Sequence, residues 1–240
     1  MAITKTHISV IIISKVPWGK HTPIADDSLR LNHKTEKDSG VDPNSVFPAV
    51  TVRDPAAWMQ SMCRHEYAMK WPHNKTLHCP NLVPNGASDY MDSPLKQVTN
   101  SSVPVTVQYK GFTKTHDSLL HHWNEYYAAY TATATFPHVV VRFEDLIFHP
   151  VAVTTAVCEC AGGAVNREFK YVTGSAKKGT AHGKEKTGYI DAIIRYGNDR
   201  GDRWKGMTEA DLTYTRENLD PTLMALFGYH YPAAPTTTRI

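Results

Sequence analysis

The stretch Pro48-Ala49-Val50-Thr51-Val52-Arg53-Asp54-Pro55 constrains the fold more than any other part of the chain. Its β-branched run is a strand, and within two residues it meets a helix-start signal. Asp54 is suited to the N-cap and Pro55 to the first helical position. The spacing predicts a helix running to about Trp71, with Trp58, Met62, His65 and Met69 on one face. The pattern recurs further on. His138 to Phe143 reads as a strand ended by Glu144-Asp145, with Asp145 as a helix cap, and Pro150 opens a helix that stops at Gly162-Gly163. Ile8 to Ile13 is an unbroken β-branched run of the kind found in buried parallel strands. Strands alternating with helices imply an α/β fold, three layers deep, with a central and mostly parallel sheet covered on both faces. Ligands of such sheets bind at the carboxyl ends of strands, where Arg53 and Glu144-Asp145 stand.

Between these elements the chain is more varied. A polar, proline-containing loop is expected from Lys15 to about Asn44, and a long loop or surface insertion over 72–102. Val103 to Tyr109 is a weak strand. Asp117 to Ala134 is an amphipathic helix whose face carries Leu119, Leu120, Trp123, Tyr126, Tyr127 and Tyr130, as core or as part of an acceptor cleft. His116, His121 and His122 lack one-face spacing for a metal and read as solvated. Gly174 to Gly188 is a basic, glycine-rich loop; Lys177, Lys178, Lys184 and Lys186 suit a solvated segment or a clamp on an acidic ligand. Short helices are expected over Tyr189 to Tyr196 and Glu209 to Phe227. With no internal repeat or linker, residues 1–240 read as a single domain.

Composition excludes several classes. A net charge of +3 without a concentrated basic stripe argues against a nucleic-acid partner. No apolar run approaches the ~20 residues needed to span a bilayer, and the first residues lack a signal-peptide layout. Cys63, Cys79, Cys158 and Cys160 show no zinc-site spacing, so no metal is expected. Cys158 and Cys160 diverge two apart on a helix, whereas Cys63 and Cys79 can close a small loop, a disulfide if the chain matures in a secretory lumen. Asn74-Lys75-Thr76 and Asn100-Ser101-Ser102 are glycosylation sequons that point the same way.

An Arg at a strand's carboxyl end, just before a helix N-terminus, offers an anion both a fork of donors and a favourable dipole. Ser61 lies eight positions beyond Arg53, at the flank of the buried helical stripe. Val52-Arg53-Asp54-Pro55 through Ser61-Met62-Cys63-Arg64-His65-Glu66-Tyr67 resembles the 3′-phosphate motif of sulfotransferases that use 3′-phosphoadenosine 5′-phosphosulfate (PAPS), particularly their carbohydrate-directed Golgi branch. The resemblance implies a P-loop NTPase-like fold and gives Arg53 and Ser61 the nucleotide's 3′-phosphate. Val141-Arg142-Phe143-Glu144-Asp145-Leu146 is similar to the family's structural strand-Glu-Asp-Leu segment. Trp18-Gly19-Lys20-His21-Thr22-Pro23 resembles its Lys-Thr-His-Leu-Pro segment, although here Lys and His are adjacent. His21 is thereby implied as general base for the acceptor hydroxyl and Lys20 as the group steadying the sulfonate. Arg195-Tyr196-Gly197 with Gly201-Asp202-Arg203-Trp204-Lys205 resembles the C-terminal element that covers the 3′-phosphate, making Arg195 and Gly197 cofactor-binding residues. Tyr196 stands for the family's Lys, and Arg203 interrupts Asp-Trp.

The resemblance spans roughly residues 8 to 230. It lacks the family's opening strand and Gly/Thr/Lys-rich loop for the 5′-phosphosulfate, since Met1 to His7 holds Thr4-Lys5-Thr6 without a glycine. The domain is therefore expected to be N-terminally incomplete. The implied activity is transfer of a sulfuryl group from PAPS, with no metal, to an acceptor hydroxyl on a carbohydrate in the Golgi lumen. The alternative is a catalytically inactive nucleotide- or glycan-binding protein, with a cytoplasmic location as the other compartment. A nucleotide kinase fits less well, because no Walker Lys-Ser/Thr is present. The acceptor's identity and the oligomeric state stay open.

Overall fold

Strand β1, Ala49–Val52, forms where the β-branched run predicts it, with Val50 and Val52 turned inward and Ala49 and Thr51 outward. The computed structural model describes residues 47–64, 69–70, 78–84, 102–109, 112–165, 168–171, 173, 188–197 and 202–234. The expected strand at Ile8, the loops over 15–44 and 174–187, and both sequons' asparagines lie outside the described residues. The architecture is mixed α/β, with a small parallel sheet and surrounding helices. The chain divides into two compact units, one of residues 1–51 with 129–190 and one of residues 52–128 with 191–240.

In the first unit, β1 is joined in a two-stranded sheet by β5, Val139–Arg142. The amide of Val139 donates to the carbonyl of Pro48 at 3.0 Å. A short helix α3, Phe143–Phe148, follows with no intervening loop. Its cap differs from the expected one. Arg142, still extended, is the N-cap, and Asp145 stands inside the first turn with its carboxylate 3.8 Å from the Arg142 Nε. The strand runs so directly into the helix that no free position remains for Asp145 to cap, and it serves the helix dipole instead. Helix α4, Pro150–Cys160, opens on its proline as expected. It closes at Gly162, whose φ of 74° is the left-handed conformation that favours glycine. Cys158 and Cys160 are unbridged.

The second unit holds most of the described core. Helix α1, Pro55–Arg64, starts where Asp54 Oδ1 accepts the amides of Ala56 and Ala57 at 3.0 and 3.2 Å. It ends at Arg64, well short of Trp71. Met69–Lys70 is instead a short strand, β2, paired antiparallel with β3, Val105–Tyr109. Met69 kept its apolar role but buries it in a ladder, where pairing overrides the helical spacing. Strand β4, Phe112–His116, completes this antiparallel sheet as a hairpin with β3, in register Val105↔His116 to Tyr109↔Phe112. The hairpin escaped the sequence reading; its signal is a glycine, Gly111, at the second of two residues between β-prone runs.

Helix α2, Leu119–Ala128, is capped by Ser118, whose hydroxyl accepts the His121 amide at 3.2 Å, and continues as a π-helical turn over Ala129–Thr133. Leu119, Leu120, Trp123 and Tyr127 are buried, so the aromatic stripe is mainly core. Trp123 packs edge-on to Tyr127 and Tyr229, and Tyr127 meets Phe227. The single helix expected over Glu209 to Phe227 is two: α6, Glu209–Asn218, and α7, Pro221–Phe227. Pro221 cannot donate to the preceding turn, and Asp220 starts a new helix by accepting the amides of Thr222 and Leu223. Helix α5 is Tyr189–Gly197.

Asp211 fastens the second unit together. Its fully buried carboxylate accepts from the amide and hydroxyl of Thr208 in a capping box, from the amides of Leu82 and Val83, and pairs with His78 Nε2 at 2.5 Å. Burial alone would raise its pKa. The hydrogen bonds from His78, Thr208 and Leu82 outweigh burial and hold it below the usual value. The same loop carries Cys79, disulfide-bonded to Cys63 with Cα atoms 5.8 Å apart, as expected. It also passes so close to Gly206, at φ 87°, that a Cβ there would lie 2.8 Å from the Cys79 carbonyl oxygen.

Two outcomes follow. Asp211→Ala should cost about 3–5 kcal/mol in denaturant unfolding, because it strands His78 and several buried amides. The folded pKa being depressed, the carboxylate's contribution is present above about pH 4 and fades as pH falls below it, so an acid titration of stability should lose this limb in Asp211→Ala. Cys63→Ser should remove roughly 3 kcal/mol, the value for a loop of this size; unchanged stability under reducing and non-reducing conditions would argue that no bridge forms.

Candidate anion-binding site

Arg53 stands immediately beyond the carboxyl end of β1, with its carbonyl accepting from Trp123 Nε1 at 3.1 Å. Its guanidinium Nη2 donates to the phenolic oxygen of Tyr196, and its Cζ lies 5.1 Å from the centre of that ring. Next in the chain, Asp54 is buried; its second oxygen accepts from Arg203 Nη1 at 3.1 Å. One turn into α1, the Gln60 side-chain amide donates to the carbonyls of Arg203 and Lys205. The last turn of α5 and the 3₁₀ turn Asp202–Trp204 are thus fastened onto the start of α1 across a sequence separation of 143 to 149 residues.

Two of the segments singled out for a 3′-phosphate therefore come together in the second unit. Arg203, which looked like an interruption of its motif, holds Asp54. Tyr196, which stands where a Lys was expected, holds Arg53. Ser61 is half-buried on α1, and no described residue hydrogen-bonds to its hydroxyl. Arg195 and Gly197 are exposed on either side of Tyr196. Lys20 and His21 lie outside the described residues. One part of the expectation changes: Asp54 already takes the first free amides of α1, so these do not await a ligand. Arg53 is thus flanked in sequence by a carboxylate that Arg203 neutralises.

The same unit contains a histidine cluster that sequence reasoning placed in solvent. His116 and His122 are 5% and 6% exposed, with ring centres 4.5 Å apart. Trp58 of α1 and Tyr126 of α2 lie against His122, and Glu125 Oε1 is 3.2 Å from His116 Nδ1 while its other oxygen meets Lys114. His121, half-buried, has its Nδ1 within hydrogen-bond reach of Ser118 Oγ and the Tyr214 hydroxyl. The missing information was the hairpin: only β4's pairing with β3 turns His116 inward. Burial lowers the His116 pKa, opposed in part by Glu125. Burial works to raise Glu125, but Lys114 and His116 outweigh it and lower its pKa.

Among the described residues, no group of three or more His, Cys, Asp or Glu side chains is placed to hold a metal ion, and no helix is long and apolar enough to cross a membrane. Compared with protein-family profiles, with curated proteins and with solved structures, the chain matches none.

The cluster makes stability pH-dependent with a definite sign. A depressed His116 pKa means its neutral form is favoured by folding, so this contribution is present above the ordinary value of about 6.5 and is lost as pH falls from there toward the folded value. His116→Gln should flatten the thermal stability profile between about pH 6.5 and 5 relative to wild type. A wild-type profile already flat over that range would contradict the burial.

Proposed function

We propose that the chain is a PAPS-dependent sulfotransferase that transfers a sulfuryl group to an acceptor hydroxyl, on a carbohydrate, from a three-layer α/β/α scaffold of the P-loop NTPase type. The observation that carries this reading is the convergence just described. Arg53 with the adjoining helix that bears Ser61, and the segment 195–205, are distant in sequence, and both are segments that the resemblance assigns to the nucleotide's 3′-phosphate. A guanidinium held at a strand's carboxyl end, where α/β sheets take their ligands, suits a dianionic phosphate through paired charge-assisted hydrogen bonds.

In this reading Arg53 and Ser61 bind the 3′-phosphate, with Arg195 and Gly197 closing over it. Lys20 steadies the sulfonate and His21 removes the acceptor's proton. The acceptor oxygen bonds to sulfur as the bond from sulfur to the 5′-phosphate oxygen breaks, and the bisphosphate nucleotide leaves. Catalysis is positioning and charge stabilisation, as in phosphoryl transfer. The Cys63–Cys79 bridge supports maturation in an oxidising compartment, in keeping with a Golgi lumen.

Calorimetry on the 240-residue chain tests the nucleotide assignment directly. Adenosine 3′,5′-bisphosphate should bind more tightly than AMP, and Arg53→Ala should weaken the bisphosphate by at least about 2 kcal/mol while leaving AMP unaffected. Equal binding of the two nucleotides to the wild type would sink the assignment.

A further inference from the structure

Arg53 and Tyr196 are in direct contact. An arginine at the end of a strand is a flexible side chain that must give up rotamer freedom to grip an anion, and this cost is subtracted from binding. Here the cost is met before any ligand arrives. The phenolic oxygen of Tyr196 accepts from Nη2, and the guanidinium carbon sits 5.1 Å from the ring centre, so one partner orients the fork by a hydrogen bond with the ring close beside it. The Arg53 backbone is fixed as well, by the bond from Trp123 Nε1 to its carbonyl. The segment just beyond Tyr196 is fastened to α1 by Arg203 on Asp54 and by Gln60 on the Arg203 and Lys205 carbonyls.

We infer that Tyr196 is a positioning residue for the anion site: it presets the Arg53 guanidinium for a 3′-phosphate and so contributes to the choice of a 3′-phosphorylated nucleotide over one without it. This rests on the nucleotide reading above and adds to it a residue to which no ligand contact is assigned. Tyr196 acts through Arg53. A guanidinium has five N–H donors, so it can hold the phenol and a phosphate oxygen together. The ring and the hydroxyl make separable contributions, because phenylalanine keeps the first and lacks the second.

The experiment is a double-mutant cycle on the full chain, read by calorimetry with adenosine 3′,5′-bisphosphate and with AMP as probes. Tyr196→Phe should weaken the bisphosphate roughly three- to ten-fold, the worth of one hydrogen bond, and leave AMP unchanged. In the Arg53→Ala background the same substitution should cause no further loss, an outcome that a general packing role would not produce. Because the ring is retained, the variant should fold with the wild-type melting temperature. The inference is overturned if Tyr196→Phe binds the bisphosphate as well as wild type or better, or if its loss persists without Arg53. A wild type that prefers the bisphosphate combined with an indifferent Tyr196→Phe removes Tyr196 alone. A wild type that does not distinguish the nucleotides removes the anion site and this inference together.

Discussion

A carboxylate buried without water is stable only when its lone pairs are all engaged, and Asp211 meets that condition with groups drawn from two distant stretches of chain. Thr208 belongs to its own helix. His78, Leu82 and Val83 belong to a segment whose path is otherwise set by few regular elements. The contact with His78 and the amides compensate the desolvation of the charge, and in doing so they dictate where the 78–84 segment runs. The Cys63–Cys79 bridge and the tight approach of Gly206 to the Cys79 carbonyl depend on that path. So does the burial of Leu82, one of the largest fully enclosed side chains in the unit.

Asp54 repeats the device at the start of α1. There too a capping carboxylate does more than cap: one oxygen serves its own helix and the other reaches Arg203 on a remote turn. The two helices begin with the same physical problem, unsatisfied N–H groups, and solve it with an aspartate that also engages a distant side chain. Satisfying the helix amides internally removes the backbone as a ligand cradle. In the nucleotide reading proposed above, recognition of the phosphate would then fall to side chains, with Arg53, held against Tyr196, as the principal donor.

Aromatic packing supports the second of these fastenings. Trp123 is fully buried between Tyr127 and Tyr229 while its indole N–H reaches the Arg53 carbonyl, so the core of α2 and α7 directly supports the backbone at the site. On the neighbouring turn His122 packs with His116 against Trp58. The polar groups of this unit are therefore distributed along the seams between elements.

Much was legible in the sequence because it depended on neighbours in the chain. The strand-to-helix junction at Val52-Arg53-Asp54-Pro55, the helix opening at Pro150 and its stop at Gly162, and the inward face of α2 follow from local dihedral preferences, capping and periodicity. The possibility of a Cys63–Cys79 bridge was also visible, from spacing. What needed the tertiary structure depended on residues far away. Met69 left its predicted helix for a ladder with Val107. His116 turned inward because β4 pairs with β3, and Tyr196 and Arg203 acquired partners some 140 residues upstream. Asp145 lost its expected cap because Arg142 is still strand when the helix begins. Local preference is written in a few consecutive residues. The partner of a buried charge is chosen by whichever distant group the fold delivers to it, and no pattern along the chain encodes that delivery.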